Sequence, residues 1–316
     1  MALELAQKLR VTGDTFSPSR LARVALRILG HLPCQIEVLR LMKHPVFAQV
    51  LTLNPRFAVK FAADDYLARD LSVTERKTCF IHHYTRLRSV LSGNMLRRIL
   101  HRSVCVFELP DGESVYRVMA HLSRRWDKEG ELSLDLELDG VGIYVISFSI
   151  VPGSIVKSEA AEVLLISRMQ GMRGAYGLIQ RATKTMNDVA PAWFLLAVLQ
   201  GFAEAFGIRE IVAVSAVRQP TSGYYCEEKF RKSYDDFFSN LGAVMGPEKL
   251  FRCPVPIPEK PLQDIKRGHK LRTKEKRAFK REVADAVSRF FQMNRRAGDE
   301  QFPFEQPYEA PAQLRF

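Results

Sequence analysis

The sequence has no long hydrophobic run. Nowhere in its 316 residues do about 18 apolar residues follow one another, so no spanning helix is expected. The opening segment MALELAQKLRVTGDTFSPSR lacks the uninterrupted apolar stretch of a secretory signal or signal anchor. The expected location is the cytoplasm, peripheral at the inner membrane at most. Cysteine is sparse, with Cys34, Cys79, Cys105, Cys226 and Cys253 standing singly, no CxxC pair and no histidine at a matching offset. That spacing argues against a disulfide framework and against structural zinc. Cys79 and Cys105 read as small core residues. The pair His82-His83 diverges by about 100° on a helix, so it cannot easily share one ion, and no metal is expected.

Balance of charge is also missing, and its location is informative. The formal net charge is +12. Between Lys260 and Arg296 there are 13 Lys or Arg against four acids, a net of +9, so the remaining body is close to neutral. Basicity here describes a tail, not a fold. Within it, residues 266–281 carry nine Lys or Arg against Glu275 alone. Such a run attracts phosphate-rich partners, either nucleic acid or anionic lipid headgroups. Phe279 is its only aromatic residue, which disfavours single-strand recognition by base stacking and makes nucleic acid the weaker expectation. As a helix from about residue 273, it would press Phe279, Val283, Ala286, Val287 and Phe290 into an anionic membrane surface. A solvated helix folded over the body is the other reading.

What is present is a change of grammar near residue 101. Residues 1–100 read as a helical region, with PSRLARVALRILGHL amphipathic and Ser72 with Glu75 forming a capping box. From 101 to 258 a mixed α/β domain is expected. SVCVFELP and SVYRVMAHL flank Asp111-Gly112, a hairpin signal, and ELSLDLELDG alternates leucine with acid. VGIYVISFSIVPG reads as a central strand, and Trp126 as a loop residue between strands. Next come a strand (AEVLLISRM), a helix from Gly174 to about Met186, and the apolar helix APAWFLLAVLQGFAEAFG, with Asp188 as its N-cap. The strand IREIVAVSAV, the helix CEEKFRKSYDDFFSNLGAV and the strand EKLFRCPVPIP close the domain. Residues 259–296 form the basic helical tail and 297–316 a disordered end. The fold class is α+β: a helical N-terminal region, then a mixed, mostly antiparallel sheet with flanking helices.

LLISRMQGMRGAYG places glycines at 171, 174 and 177 where a strand turns into a helix. The spacing is GxxGxxG, not the dinucleotide GxGxxG, and no Gly-Lys-Ser/Thr follows. The element order resembles the acyl-CoA N-acyltransferase-like fold, in which a loop of pattern Gln/Arg-x-x-Gly-x-Gly/Ala binds the pyrophosphate of an acyl thioester at a helix N-terminus. Arg168-Met169-Gln170-Gly171-Met172-Arg173 matches its first four positions, with Gly174 one residue late. The resemblance implies that Arg168, Gln170, Gly171, Arg173 and Gly174 hold the phosphates of an acyl-CoA or other thioester donor. The position that often carries a tyrosine general acid holds Phe238, which has no proton to give; Tyr234, one turn earlier, substitutes only if the helix faces allow. Close helix–strand packing is the alternative explanation of the glycines.

Several segments in order, LLISRMQG, TKTMNDVAPAWFLLAVLQGFAEAFGI, KSYDDFFSNLGA and PIPEKPLQDIKRGHKLRTKEKR, resemble the VirK/YbjX family of Gram-negative bacteria over roughly residues 20–290. The resemblance implies a role in virulence, resistance to antimicrobial peptides and envelope maintenance. It brings no catalytic residue set. From the residues themselves, Ser215, Arg218, Gln219, Ser222, Tyr224 and Tyr225 form a candidate polar lip after a buried strand. His121 is a candidate base. Glu159 and Glu162 are candidate proton acceptors. The expected function is acyl transfer to an amine or hydroxyl, with Ser215, Tyr224, His121 and Tyr234 as catalytic candidates. The alternative is a non-enzymatic binder that uses the basic tail.

Overall fold

The computed structural model describes residue 26 and residues 29–123, 128–220 and 227–296. Most of the helix expected over PSRLARVALRILGHL, the loop residue Trp126, the lip residues Ser222, Tyr224 and Tyr225, and the end 297–316 lie outside the described residues.

The helical region comprises α1 (Leu32–Met42), α2 (Pro45–Leu53), a 3-10 segment (Pro55–Ala62), α3 (Val73–Val90) and α4 (Gly93–His101). Prolines open α1, α2 and the 3-10 segment, where a missing N–H costs nothing. The capping box at α3 is present: Ser72 Oγ accepts from the Glu75 N–H at 3.2 Å, and the Glu75 carboxylate accepts from the Ser72 N–H at 2.7 Å.

The sheet follows as β1 (Ser103–Asp111), β2 (Ser114–Leu122), β3 (Leu132–Leu138), β4 (Val141–Pro152) and β5 (Glu162–Gly171). Two helices, α5 (Tyr176–Thr185) and α6 (Pro191–Phe206), lead to β6 (Glu210–Val214). Then come α7 (Glu227–Asn240), β7 (Val244–Met245), β8 (Leu250–Pro254) and α8 (Lys270–Met293). The spatial order is β1-β2-β3-β4-β5-β6-β8-β7, and every neighbour is antiparallel except the β5–β6 pair. The expected α+β class holds at this level.

Alternation along β4 sends Ile146 and Phe148 to the face that carries α6, where Phe148 meets Phe202 at 5.0 Å. Ser147 and Ser149 point the other way. One apolar core extends from Val38 to Phe291 and draws on nearly every element.

Three expectations need correction here. The apolar face of α8 does not offer itself to a membrane. Val283, Val287 and Phe291 are buried in the core, Phe279 stacks on Phe194 at 6.0 Å, and Phe291 meets Phe202 edge-on at 4.9 Å. An amphipathic stripe needs an apolar partner, and α6 is apolar around most of its circumference and supplies one. Asp188 does not cap α6, whose N-cap is Ala190. Its carboxylate instead accepts from Arg272 of α8 at 2.6 Å. Of the two cysteines expected in the core, Cys79 is buried, but Cys105 is only half-buried, on the polar face of β1.

Candidate functional site

Two neighbouring strands separate at the centre of the sheet. β5 runs parallel to β6 only through Leu164↔Ile211, Leu165↔Val212 and Ile166↔Ala213, then continues to Gly171 paired with β4 alone among the described residues. β6 stops at Val214, and the chain turns into a short 3-10 segment, Ala216–Arg218, whose first N–H is held by the Asp235 carboxylate at 2.9 Å. β5 also bulges at the fork: Phe148 opposes Ile166 and Ser147 opposes Arg168, leaving Ser167 as the extra residue. The hydroxyls of Ser167 and Ser215, one on each arm, are fully buried without a hydrogen-bond partner among the described residues. A buried hydroxyl left unbonded is costly, so such a pair marks where a bound polar group is wanted.

The fork leads into the glycine loop. The Met172 N–H still bonds to the Ile143 carbonyl at 2.9 Å, and Gly174 then takes φ +81°, a left-handed conformation natural to glycine. α5 begins at Tyr176 with Ala175 as N-cap and no side-chain cap among the described residues. Ile179 is the first residue whose N–H reaches an Ala175 carbonyl, at 2.8 Å, so the earlier N–H groups point outward. Arg173, Gly174, Tyr176 and Gly177 surround them and are exposed. Packing explains only part of the glycine pattern. A Cβ at Gly171 would lie 2.9 Å from Ile179 Cδ1, but at Gly174 or Gly177 it would meet nothing within 4 Å.

A row of polar side chains leads away from the fork across the sheet. Ser103, His121, Ser133, Ser147 and Arg168 stand directly opposite one another on five successive strands. Ser133 Oγ lies 2.8 Å from Ser147 Oγ and 2.6 Å from Ser123 Oγ. Arg168 is buried and faces the equally buried Glu129 at 3.3 Å. It therefore sits inside the fork, apart from the exposed Arg173 with which the sequence groups it. Gln170, two residues on, is half-buried at the rim.

The catalytic candidates fare unequally. His121 presents Nδ1 to the Leu122 carbonyl at 2.9 Å and Nε2 to Asp135 at 3.2 Å. Both ring nitrogens face oxygen acceptors, an arrangement that suits a donor on each side better than a free base. Ser215 lies at the fork. Tyr234 is buried, and burial first, then the charge of Asp235 and of nearby Tyr144 and Glu129, raises its phenol while a hydrogen bond with Gln219 opposes this. It therefore carries its proton at neutral pH. Phe238 is core, stacked on Phe251 at 5.4 Å. Tyr144, opposite Gly171, is pushed up to about 12 by burial. Arg218 is not free for a substrate, since it donates to the carbonyls of Arg69 at 2.7 Å and Glu248 at 2.9 Å. Glu162 is tied to Arg86 at 2.7 Å and His82 at 3.1 Å, and Glu159 is exposed outside the fork. Ser167 and Ser215 thus lie on the two arms of the fork, Arg168 pairs with Glu129, and Tyr234 bonds to Gln219 with Glu129 and Tyr144 near it, while His121 stands three strands from Arg168. Sequence reading missed Glu129, Tyr144 and Ser167. The signal was the repeated serine in otherwise apolar strands, ISFSI and LLIS.

The chain matches the family model described as "Protein of unknown function (DUF535)" over residues 18–281. It is 24% identical over 264 residues to "Uncharacterized protein YbjX" of Escherichia coli (strain K12), covering 80% of this chain and 76% of that protein. No solved structure matches. A family match over more than four fifths of the chain is decisive: the chain belongs to the DUF535 family, the VirK/YbjX family that its sequence resembles.

Proposed function

We propose that the chain is acyltransferase-like and moves an acyl group from a thioester donor such as acyl-CoA to an amine or hydroxyl, in the envelope-maintenance, antimicrobial-peptide-resistance and virulence role that the family resemblance implies. The observation that carries this is the fork. A strand that outruns its parallel partner leaves an unpaired backbone edge, ready to hydrogen-bond an extended amide-containing arm. Buried hydroxyls without partners lie at its base, and an uncapped helix N-terminus lies at its mouth. The residues fit an acyl-CoA in that order: phosphates at Gly171–Gly177 with Arg173, and the thioester near Ser167 and Ser215. The donor supplies an activated acyl carbonyl. Attack by the acceptor forms the new C–N or C–O bond and expels a thiolate; the acceptor's proton leaves to solvent and the thiolate takes one from it, while Tyr234, which keeps its proton, serves as a hydrogen-bond donor. Arg168 and Glu129 act as a positioning pair beneath the fork.

The test is thermal unfolding with acetyl-CoA and with a long-chain acyl-CoA. A donor at about 100 times its dissociation constant adds roughly 2.7 kcal/mol of stability. Gly177→Asp is the informative variant. Its side chain has room, and an acid in the first turn favours the helix by about 0.3–1 kcal/mol while repelling a phosphate. The expected result is a stable variant without the donor shift. A wild type indifferent to both thioesters, or a variant that responds normally, sinks the reading.

A further inference from the structure

We propose that the outward face of α8 and the turn before it dock the protein on a bilayer surface rich in anionic phosphate headgroups. This is independent of the acyl-transfer reading. It rests on how the fold sorts the nine basic residues of 266–281. Four are tied to the body of the protein. Arg272 pairs with Asp188 at 2.6 Å, and Lys276 donates to the Asp188 carbonyl at 2.7 Å. Arg277 and Lys280 share Glu259 at 3.3 and 3.5 Å, with Lys280 also over the Trp193 ring at 5.6 Å. These clips occupy Asp188 and Glu259, leaving Glu275 as the one acid within 266–281.

The other five have no ion pair among the described residues. Lys266, Arg267, Lys274 and Arg281 are exposed and Lys270 is half-exposed. Lys270, Lys274 and Arg281 follow one helical stripe, with the small Ala278 between them, so a flat surface can approach closely. Leu271 is 70% exposed in the same turn as Lys270, although an apolar core is available to the helix. A basic stripe with one apolar contact at its end suits the interface of an anionic leaflet. The helix cannot insert, because its apolar face is occupied by α6. It can only lie on the surface. Nucleic acid fits less well, since no aromatic side chain stands in the exposed stripe and Phe279 is engaged with Phe194.

The full chain is tested by co-sedimentation with phosphatidylcholine vesicles, with and without about a third of phosphatidylglycerol. Binding is expected only to the anionic vesicles, falling steeply as salt shortens the screening length. Each outward residue neutralised should lower partitioning about fivefold, so Lys266→Gln/Arg267→Gln/Lys270→Gln/Lys274→Gln should lower it several-hundredfold. Arg289→Gln, beside the exposed Glu282 and Asp285 on the same helix, should stay within about twofold and controls for charge in general. Retained binding by the fourfold variant overturns the proposal. So does a wild type that ignores anionic vesicles, and so does preferential capture by a duplex oligonucleotide when both are offered.

Discussion

Glu131→Gln should lower unfolding stability by about 3–5 kcal/mol, and adding Lys60→Met to it should restore much of the loss. Glu131 is fully buried between the helical region and the sheet. Its carboxylate accepts from the hydroxyls of Tyr66 and Tyr84 and faces the buried ammonium of Lys60, while its own N–H donates to Ser149 Oγ at 3.1 Å. Neutralising the acid alone leaves Lys60 a buried charge without its counterion. Removing both leaves a gap that methionine fills, with glutamine still able to bond the two tyrosines. Urea unfolding of the two variants checks the order, and a double variant weaker than the single overturns it.

The same cluster predicts a pH dependence. Burial raises the Glu131 carboxyl above its usual 4.5, with Lys60 and the tyrosine hydroxyls pulling against it. A raised folded pKa means that the group's contribution is fully present below the unfolded value and is lost as pH rises through the folded one. Lys60→Met removes the main opposing pull, so Glu131 rises further. The variant should therefore lose stability relative to wild type as pH rises above the ordinary carboxyl range. A stability difference from wild type that does not grow with rising pH counts against the cluster as described.

Lys60 also shows where sequence reading stops. In FAVKFA it is one charge in an apolar run, and nothing local points to a carboxylate 71 residues away. Local periodicity sufficed for β1 to β6 and for α3, α6 and α8, because alternation, capping and apolar stripes are properties of short windows. The glycine loop was legible for the same reason. The fork was not, because it exists only once β5 and β6 are paired and their unequal lengths are compared. The reversal over α8 has a related cause. An apolar stripe states that it must be covered, without saying whether by lipid or by another helix.

Gly201 was the clue to which of the two covers α8, and it carries the other large effect. It sits in the middle of α6, where glycine costs up to about 1 kcal/mol relative to alanine. A Cβ there would press into the Ala284 carbonyl oxygen and come 3.0 Å from Val287 Cβ, so α8 crosses α6 where only hydrogen fits. A backbone carbonyl cannot rotate aside as a side chain can. Gly201→Ala should therefore be destabilising by about 1–3 kcal/mol despite its better helix propensity. Gly201→Leu should lift α8 from the body, exposing Val283, Val287 and Phe291. Hydrogen exchange along 270–293 reads this directly: protection should fall there first while β4 and β5 keep theirs. Because the inward clips at Asp188 and Glu259 depend on the same crossing, their arginines and lysines would be released as well. The basic face would then lose its order together with its attachment. Unchanged protection of α8 in Gly201→Leu would mean that the helix is held by its ion pairs, not by the close approach at Gly201.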